Sequence, residues 1–139
     1  MSYRGSASAP APLLLVATKV TALDRENGNV LWEYSQLHLG ARRFSVHEHW
    51  VIVLDAAGQL HCVELRGGRQ AGFVRTGLSD AGAFLFDGER FYVSNETIVV
   101  ALDWNGVELW RRPVAFYGVS GLGGMAVGEQ SMQPDFSRS

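Results

Sequence analysis

One phrase occurs twice in this chain and constrains its fold more than any other feature. ALDRENGNVLW at 22–32 returns as ALDWNGVELW at 101–110, with a blurred third copy between them. Three segments align on it: LLLVATKVTALDRENGNVLWEY (13–34), WVIVLDAAGQLHCVELRGGRQAGFV (50–74) and RFYVSNETIVVALDWNGVELWRRP (90–113). Their acidic landmarks, Asp24, Glu64 and Asp103, stand 40 and 39 residues apart. A fixed period of that length means stacked supersecondary units. Inside each unit, short β-branched and apolar runs are split by Gly, Asn and Asp. That is the pattern of hairpins, and no helical period competes with it.

Composition sets the outer bounds. At 139 residues, 47% of them hydrophobic and 19% charged, the chain has enough material to bury a core without metals or disulfides. A net charge of −2 argues against an electrostatic grip on nucleic acid or anionic lipid. The one cysteine, Cys62, lies in a strand-like run and reads as a small buried thiol. The opening MSYRGSASAPAPLLLVA hints at an export signal, but its apolar stretch, Leu13 to Ala17, falls short of the roughly 7 residues such a signal needs. No run approaches the roughly 18 apolar residues of a membrane span. The expectation is a cytoplasmic protein with neither nucleic-acid nor membrane partners.

Each letter of the repeated phrase has a physical role. Asp24 and Asp103 end a strand where a carboxylate accepts hydrogen bonds from the turn that follows. Gly28, Gly68 and Gly106 supply a positive φ. Trp32 and Trp110 stand four residues beyond the turn glycine, where a flat side chain covers the seam against a neighbouring sheet. The middle unit departs, with Glu64 for Asp and Gly72-Phe73 where the Trp belongs.

These residues resemble the quinoprotein-type, or PQQ-like, β-propeller repeat, a strand ending A-L-D, a tight turn, then a Trp. The resemblance covers roughly residues 13 to 128 and implies an all-β chain of four-stranded antiparallel blades around an axis. The family holds quinone-cofactor dehydrogenases and non-enzymatic scaffolds, including a lipoprotein of outer-membrane assembly. The dehydrogenases are much larger and carry a vicinal cysteine pair and calcium ligands that have no counterpart here, so no enzyme activity, cofactor or metal is expected.

Counting strands leads to an assembly. Each repeat supplies three, near 13–18, 20–24 and 29–34 in the first. An additional strand precedes the second and third repeats, RRFSVH (42–47) and GAFLFD (82–87), and a last one, GGMAVG (123–128), follows them all. Phe44, Phe84 and Met125 mark one register, 40 and 41 residues apart. Residues 1–12 form a flexible arm, 13–128 three blades and 129–139 a polar tail. Propellers use typically 4 to 8 blades. A homodimer forming a six-bladed ring is therefore expected, with 123–128 completing the blade that begins at Leu13 of the twin. A trimer, a filament or a different protein supplying the missing blades are the alternatives.

Loops 35–42, 75–82 and 114–123 should share one face with the hairpin turns near 55–58 and 94–96, and they carry His38, Arg42, Ser79, Asp80, Phe116 and Tyr117. This is the candidate binding face. HEH (47–49) lacks a third ligand for a metal and reads as a surface turn, His61 as a packing residue, and Trp104 as an exposed turn tip. Two functions follow. One is a homo-oligomeric scaffold that presents its loop face to a protein or peptide. The other is an enzyme or binder of a sugar, nucleotide or quinone-like molecule, using copies of His38, Arg42, Asp80 and Tyr117 around the ring's mouth. If the last strand is exchanged, a chain truncated after Gly121 loses its self-association, read as a fall in mass by light scattering.

Overall fold

Turn residues end every strand after four to seven residues, so the chain folds as a series of meanders. The computed structural model describes residues 10–114. The first sheet contains β1 (Leu13–Val16), β2 (Val20–Leu23) and β3 (Val30–Tyr34). The second contains β4 (Ala41–His47), β5 (Trp50–Asp55), β6 (Gln59–Glu64) and β7 (Gln70–Arg75). The third contains β8 (Ala83–Phe86), β9 (Arg90–Ser94), β10 (Ile98–Asp103) and β11 (Glu108–Pro113). All pairings are antiparallel between neighbours in sequence. The described residues contain no helix long and apolar enough to cross a membrane. The strand expected at 123–128 lies outside the described residues. Among the described residues the first sheet has three strands, with β1 at its edge, in the place held by β5 and β9 in the other two.

The repeat is visible at atomic detail. Gly28 N–H donates to the Asp24 carbonyl at 2.8 Å, and Gly68 N–H to the Glu64 carbonyl at 2.9 Å. Each loop is closed again by Asn29 or Arg69 accepting from the acidic residue's own amide, both at 2.8 Å. Gly28 and Gly68 sit at φ 78° and 74°, where a Cβ is penalised. The Asp103 turn is one residue shorter and uses Gly106 at φ 86°. Asp24 and Asp103 accept backbone amides with their carboxylates, from Glu26 at 2.8 Å and from Asn105 and Val107 at 2.9 Å. Glu64, one methylene longer, turns instead to Arg69 at 3.4 Å. All three repeats also place a β-bulge at the same step, Ala22/Leu23, Cys62/Val63 and Ala101/Leu102, which twists the outermost strand.

The sheets pack face to face in two seams and converge where β4 meets β8. In the first seam, Val20, Ala22, Trp32 and Tyr34 face Val51, Val53, Val63 and Leu65. Trp32 is 9% exposed, donates Nε1–H to the Leu65 carbonyl at 3.1 Å, and lies against Gly68, where a Cβ would overlap its ring. In the second seam, Ile52, Leu54, Leu60, Cys62 and Val74 face Phe86, Phe91, Val93, Val100 and Leu102.

The middle unit's missing tryptophan has a structural answer. Gly72 occupies the position of Trp32, and Trp104 from the next sheet fills the space, 3.7 Å from where a Gly72 Cβ would stand. Trp104 stacks on Phe91 at 5.8 Å and approaches Phe86 and Trp50 at 5.6 and 6.1 Å. Trp104 is the exposed turn residue expected, 38% accessible, and its ring also closes a seam. Along the aligned repeats Trp104 corresponds to Leu65, so Trp32/Leu65 in one seam becomes Gly72/Trp104 in the next. The indole that pairs with the turn position is supplied from opposite sides in the two seams, and in the second it has Trp50 beside it. Gly72→Trp and Trp104→Leu should each destabilise the fold by about 2 kcal/mol, through overpacking and a cavity respectively. The double variant, which recreates the first seam, should recover at least half of that loss in urea unfolding.

Candidate functional site

Of the loops expected to share a face, 35–42 and 75–82 lie beside the hairpin turns through backbone bonds that run from one turn to the next loop, and 115–123 lies outside the described residues. Ala41 N–H donates to Ala17 O at 2.8 Å, Ala56 N–H to Gly40 O at 2.9 Å, Thr76 N–H to Gly58 O at 3.2 Å, and Gly82 N–H to Ser94 O at 2.9 Å. Asn95 reaches the Ser79 carbonyl with Nδ2 at 3.1 Å. These links hold loops 35–40 and 76–82 beside turns 55–58 and 94–97. Arg42 and Asp80 meet there at 3.0 Å, and Asp80 holds φ 58°. His38 contributes its backbone amide, which donates to Asp55 Oδ2 at 3.0 Å. Phe116 and Tyr117 lie outside the described residues. Leu39, between His38 and Gly40, was not singled out by the sequence. It is 81% exposed at φ 65°, an unusual conformation for a leucine.

Beneath the rim lies a polar chain that spacing did not reveal. Tyr34 Oη is 2.7 Å from His61 Nδ1, and His61 Nε2 is 2.8 Å from Asp55 Oδ2. The other Asp55 oxygen accepts from the amides of Ala57 at 3.0 Å and Gln59 at 2.9 Å. Gln70 Nε2 donates to the Tyr34 hydroxyl at 3.1 Å. Burial is the main cause that pushes the Tyr34 hydroxyl up to about 12. A hydroxyl that accepts from Gln70 and keeps its proton donates to Nδ1, which leaves Nε2–H for Asp55. Burial works to raise the Asp55 carboxyl, but the bonds from His61 and from the His38 and Gln59 amides outweigh it and hold it below its ordinary 3.8.

The order of donors resembles a proton relay, yet Asp55, His61 and Tyr34 are 0, 1 and 4% exposed. No substrate atom reaches them. The chain is a polar bracket from the first sheet to the second, and His61 is a packing residue satisfied on both nitrogens. Its neighbour Cys62 points into the other seam, and burial pushes that thiol up to about 11, away from the reactive thiolate. The hollow lined by Ile52, Cys62, Gly72, Phe73, Phe91 and Trp104 has a volume of about 10 Å³, enough for one water. His47 packs edge-on to Phe86 at 5.0 Å, and Glu48 carries the turn at φ 55°. Among the described residues no group of three or more His, Cys, Asp or Glu is placed to hold a metal.

Residues 16–115 match the family model described as outer membrane protein assembly factor BamB. No curated protein sequence matches the chain. Among solved structures it is similar to quinohemoprotein alcohol dehydrogenase ADHIIG from Pseudomonas putida HK5, at 21% identity, TM-score 0.54 and coverage of 68% of this chain and 18% of that one. A europium-containing methanol dehydrogenase gives 16% identity and TM-score 0.59, covering 75% of this chain and 23% of that one. The Pan2 WD40 domain of Neurospora crassa gives 15% identity and TM-score 0.58, covering 78% and 40%. At these identities the likeness shows the propeller fold alone. The chain spans from under a fifth to two fifths of the length of those structures.

Removing the Asp55 carboxylate leaves the His38, Ala57 and Gln59 amides and His61 without their buried acceptor, and Asp55→Ala should cost about 3–5 kcal/mol of stability. Because the folded-state carboxyl is held below 3.8, the stability it adds is fully present above that value and disappears as the pH falls through the folded value. Urea titrations across pH should therefore show the advantage of the native chain over Asp55→Asn shrinking below about pH 4.

Proposed function

This chain belongs to the family of outer membrane protein assembly factor BamB, and from that premise we propose that it is a non-enzymatic interaction module. It associates with a second copy to form a six-bladed ring and offers its rim loops to a protein or peptide. The observation that carries the reading is where accessible apolar surface lies. The polar groups with chemical potential are committed to structure: Asp55, His61 and Tyr34 to the bracket, Arg42 to Asp80. Accessible apolar side chains stand instead on all three sheets, Leu13, Leu15 and Val30 on the first, Phe44, Val46 and Phe73 on the second, Leu109 and Trp110 on the third, and, as Leu39, at the rim.

Among the described residues no strand pairs with the outer edge of β1, and this supports the strand-exchange part of the reading. Phe44 pairs with Val53 and Phe84 with Val93, and Leu15 holds the equivalent position in β1. The proposed partner of Leu15 is Met125 of the twin, in the register that the 40- and 41-residue spacing implies. The family model is that of an outer membrane protein assembly factor, and the similar structures include dehydrogenases; for this chain the proposal is protein binding by the rim, in the cytoplasm.

The pure protein should show a solution mass twice 15.2 kDa, and a 15.2 kDa species at tens of micromolar, roughly ten times a micromolar dissociation constant, would sink the assembly. A client captured by the native chain should be lost with Leu39→Asp while the dimer mass stays unchanged. Thermal shifts with sugars, nucleotides or quinones that vanish in an Arg42→Ala, Asp80→Ala variant would favour small-molecule binding instead.

A further inference from the structure

The first seam is a template for a contact that the outer faces of this same chain are shaped to make. Trp110 repeats the strand position of Trp32, after a turn one residue shorter. It follows its turn glycine by four residues, pairs with Ala101 as Trp32 pairs with Ala22, and stands beside the same β-bulge. Trp32 is covered by the second sheet, whereas Trp110 on the outer face of the third is 43% exposed, beside a hollow of about 420 Å³ lined by Val99, Trp110, Arg112 and Val114.

The surface that receives Trp32 is also duplicated. Gly28 closes the same turn as Gly68 with the same pair of backbone bonds and a φ within a few degrees, 78° against 74°. Where Gly68 lies against an indole, nothing stands within 4 Å of a Cβ placed on Gly28. The carbonyl that corresponds to Leu65 O, the acceptor of the Trp32 indole, belongs to Arg25. Leu13, Leu15 and Val30, on the same outer face of the first sheet, are 51, 50 and 58% exposed.

We infer that the third sheet of one copy docks on the first sheet of a second copy, with Trp110 lying over Gly28 and its Nε1–H donating to the Arg25 carbonyl. The inference rests on the self-association proposed above and names its contact. The contact is head to tail, and two copies close on themselves by making it twice, once in each direction, around a two-fold axis. It adds a third seam with one indole, and a standard interface of about 800 Å² per partner is within the reach of one sheet face.

Light scattering and sedimentation on the full chain test it with two variants. Trp110→Glu puts a charge in the seam. Gly28→Asn fills the receiving surface with a residue that tolerates positive φ. Neither touches a seam inside one copy, so circular dichroism should show both folded. Each variant alone spoils both contacts of the dimer and should weaken association at least 30-fold, the loss of one central aromatic anchor. Mixed in equal amounts, they should associate again, because one of the two contacts then joins a native Trp110 to a native Gly28.

If the native chain is a dimer and both variants associate as tightly as it does, the inference falls while self-association stands. If single variants dissociate and mixing restores nothing, the contact is like-with-like and head-to-tail docking is overturned. A native chain that is monomeric removes both readings together.

Discussion

The seam between consecutive sheets is the constraint on which the rest of this structure depends. A four-stranded meander has two apolar faces and little stability alone, so each sheet needs a neighbour on either side. Sheets packed face to face leave a wedge near their outer strands because the β-bulges twist β3 and β7 away. An indole at the turn position fills that wedge in each described seam, joined in the second by Trp50. Its source differs: Trp32 reaches forward over Gly68, and Trp104 reaches back over Gly72. Volume is conserved while the donor changes, as packing at near-crystalline density requires.

The two seams divide labour. The second is apolar throughout and supplies hydrophobic stabilisation. The first adds the Tyr34–His61–Asp55 bracket, whose value lies in geometry: a buried carboxylate with four donors tolerates only one arrangement of the strands and turns that deliver them. Asp55 thereby ties β5, its hairpin turn, β6 and the loop carrying His38 into one unit. The rim inherits this rigidity, which lets it hold Leu39 and Asp80 at positive φ.

Much of this was legible in the sequence. The period of the acidic landmarks located three units, and the hairpin turns fell where Gly28, Gly68 and Gly106 require them. Strand limits shifted by only one or two residues. The extra strand before Trp50 and before Arg90 was readable because Phe44 and Phe84 keep the period. Trp104 was legible as an exposed turn residue, but its packing was not, because only the fold brings Gly72 beside it and leaves a hole for its ring. Leu39 gave no warning, since a leucine at positive φ leaves no trace in composition or period. The bracket was equally hidden: Tyr34, Asp55 and His61 belong to two repeats and have no shared spacing.

By itself the sequence determined the repeating unit, its strand and turn pattern and the direction each strand's side chains alternate, because these follow from period, backbone conformation and the two-residue pleat. Only the tertiary structure decided which side chain fills each seam, which polar groups meet beneath the rim, and which faces stay uncovered. Those are matters of contact between residues 20 to 40 positions apart, where volume, hydrogen-bond direction and burial are settled jointly and no local pattern records the outcome.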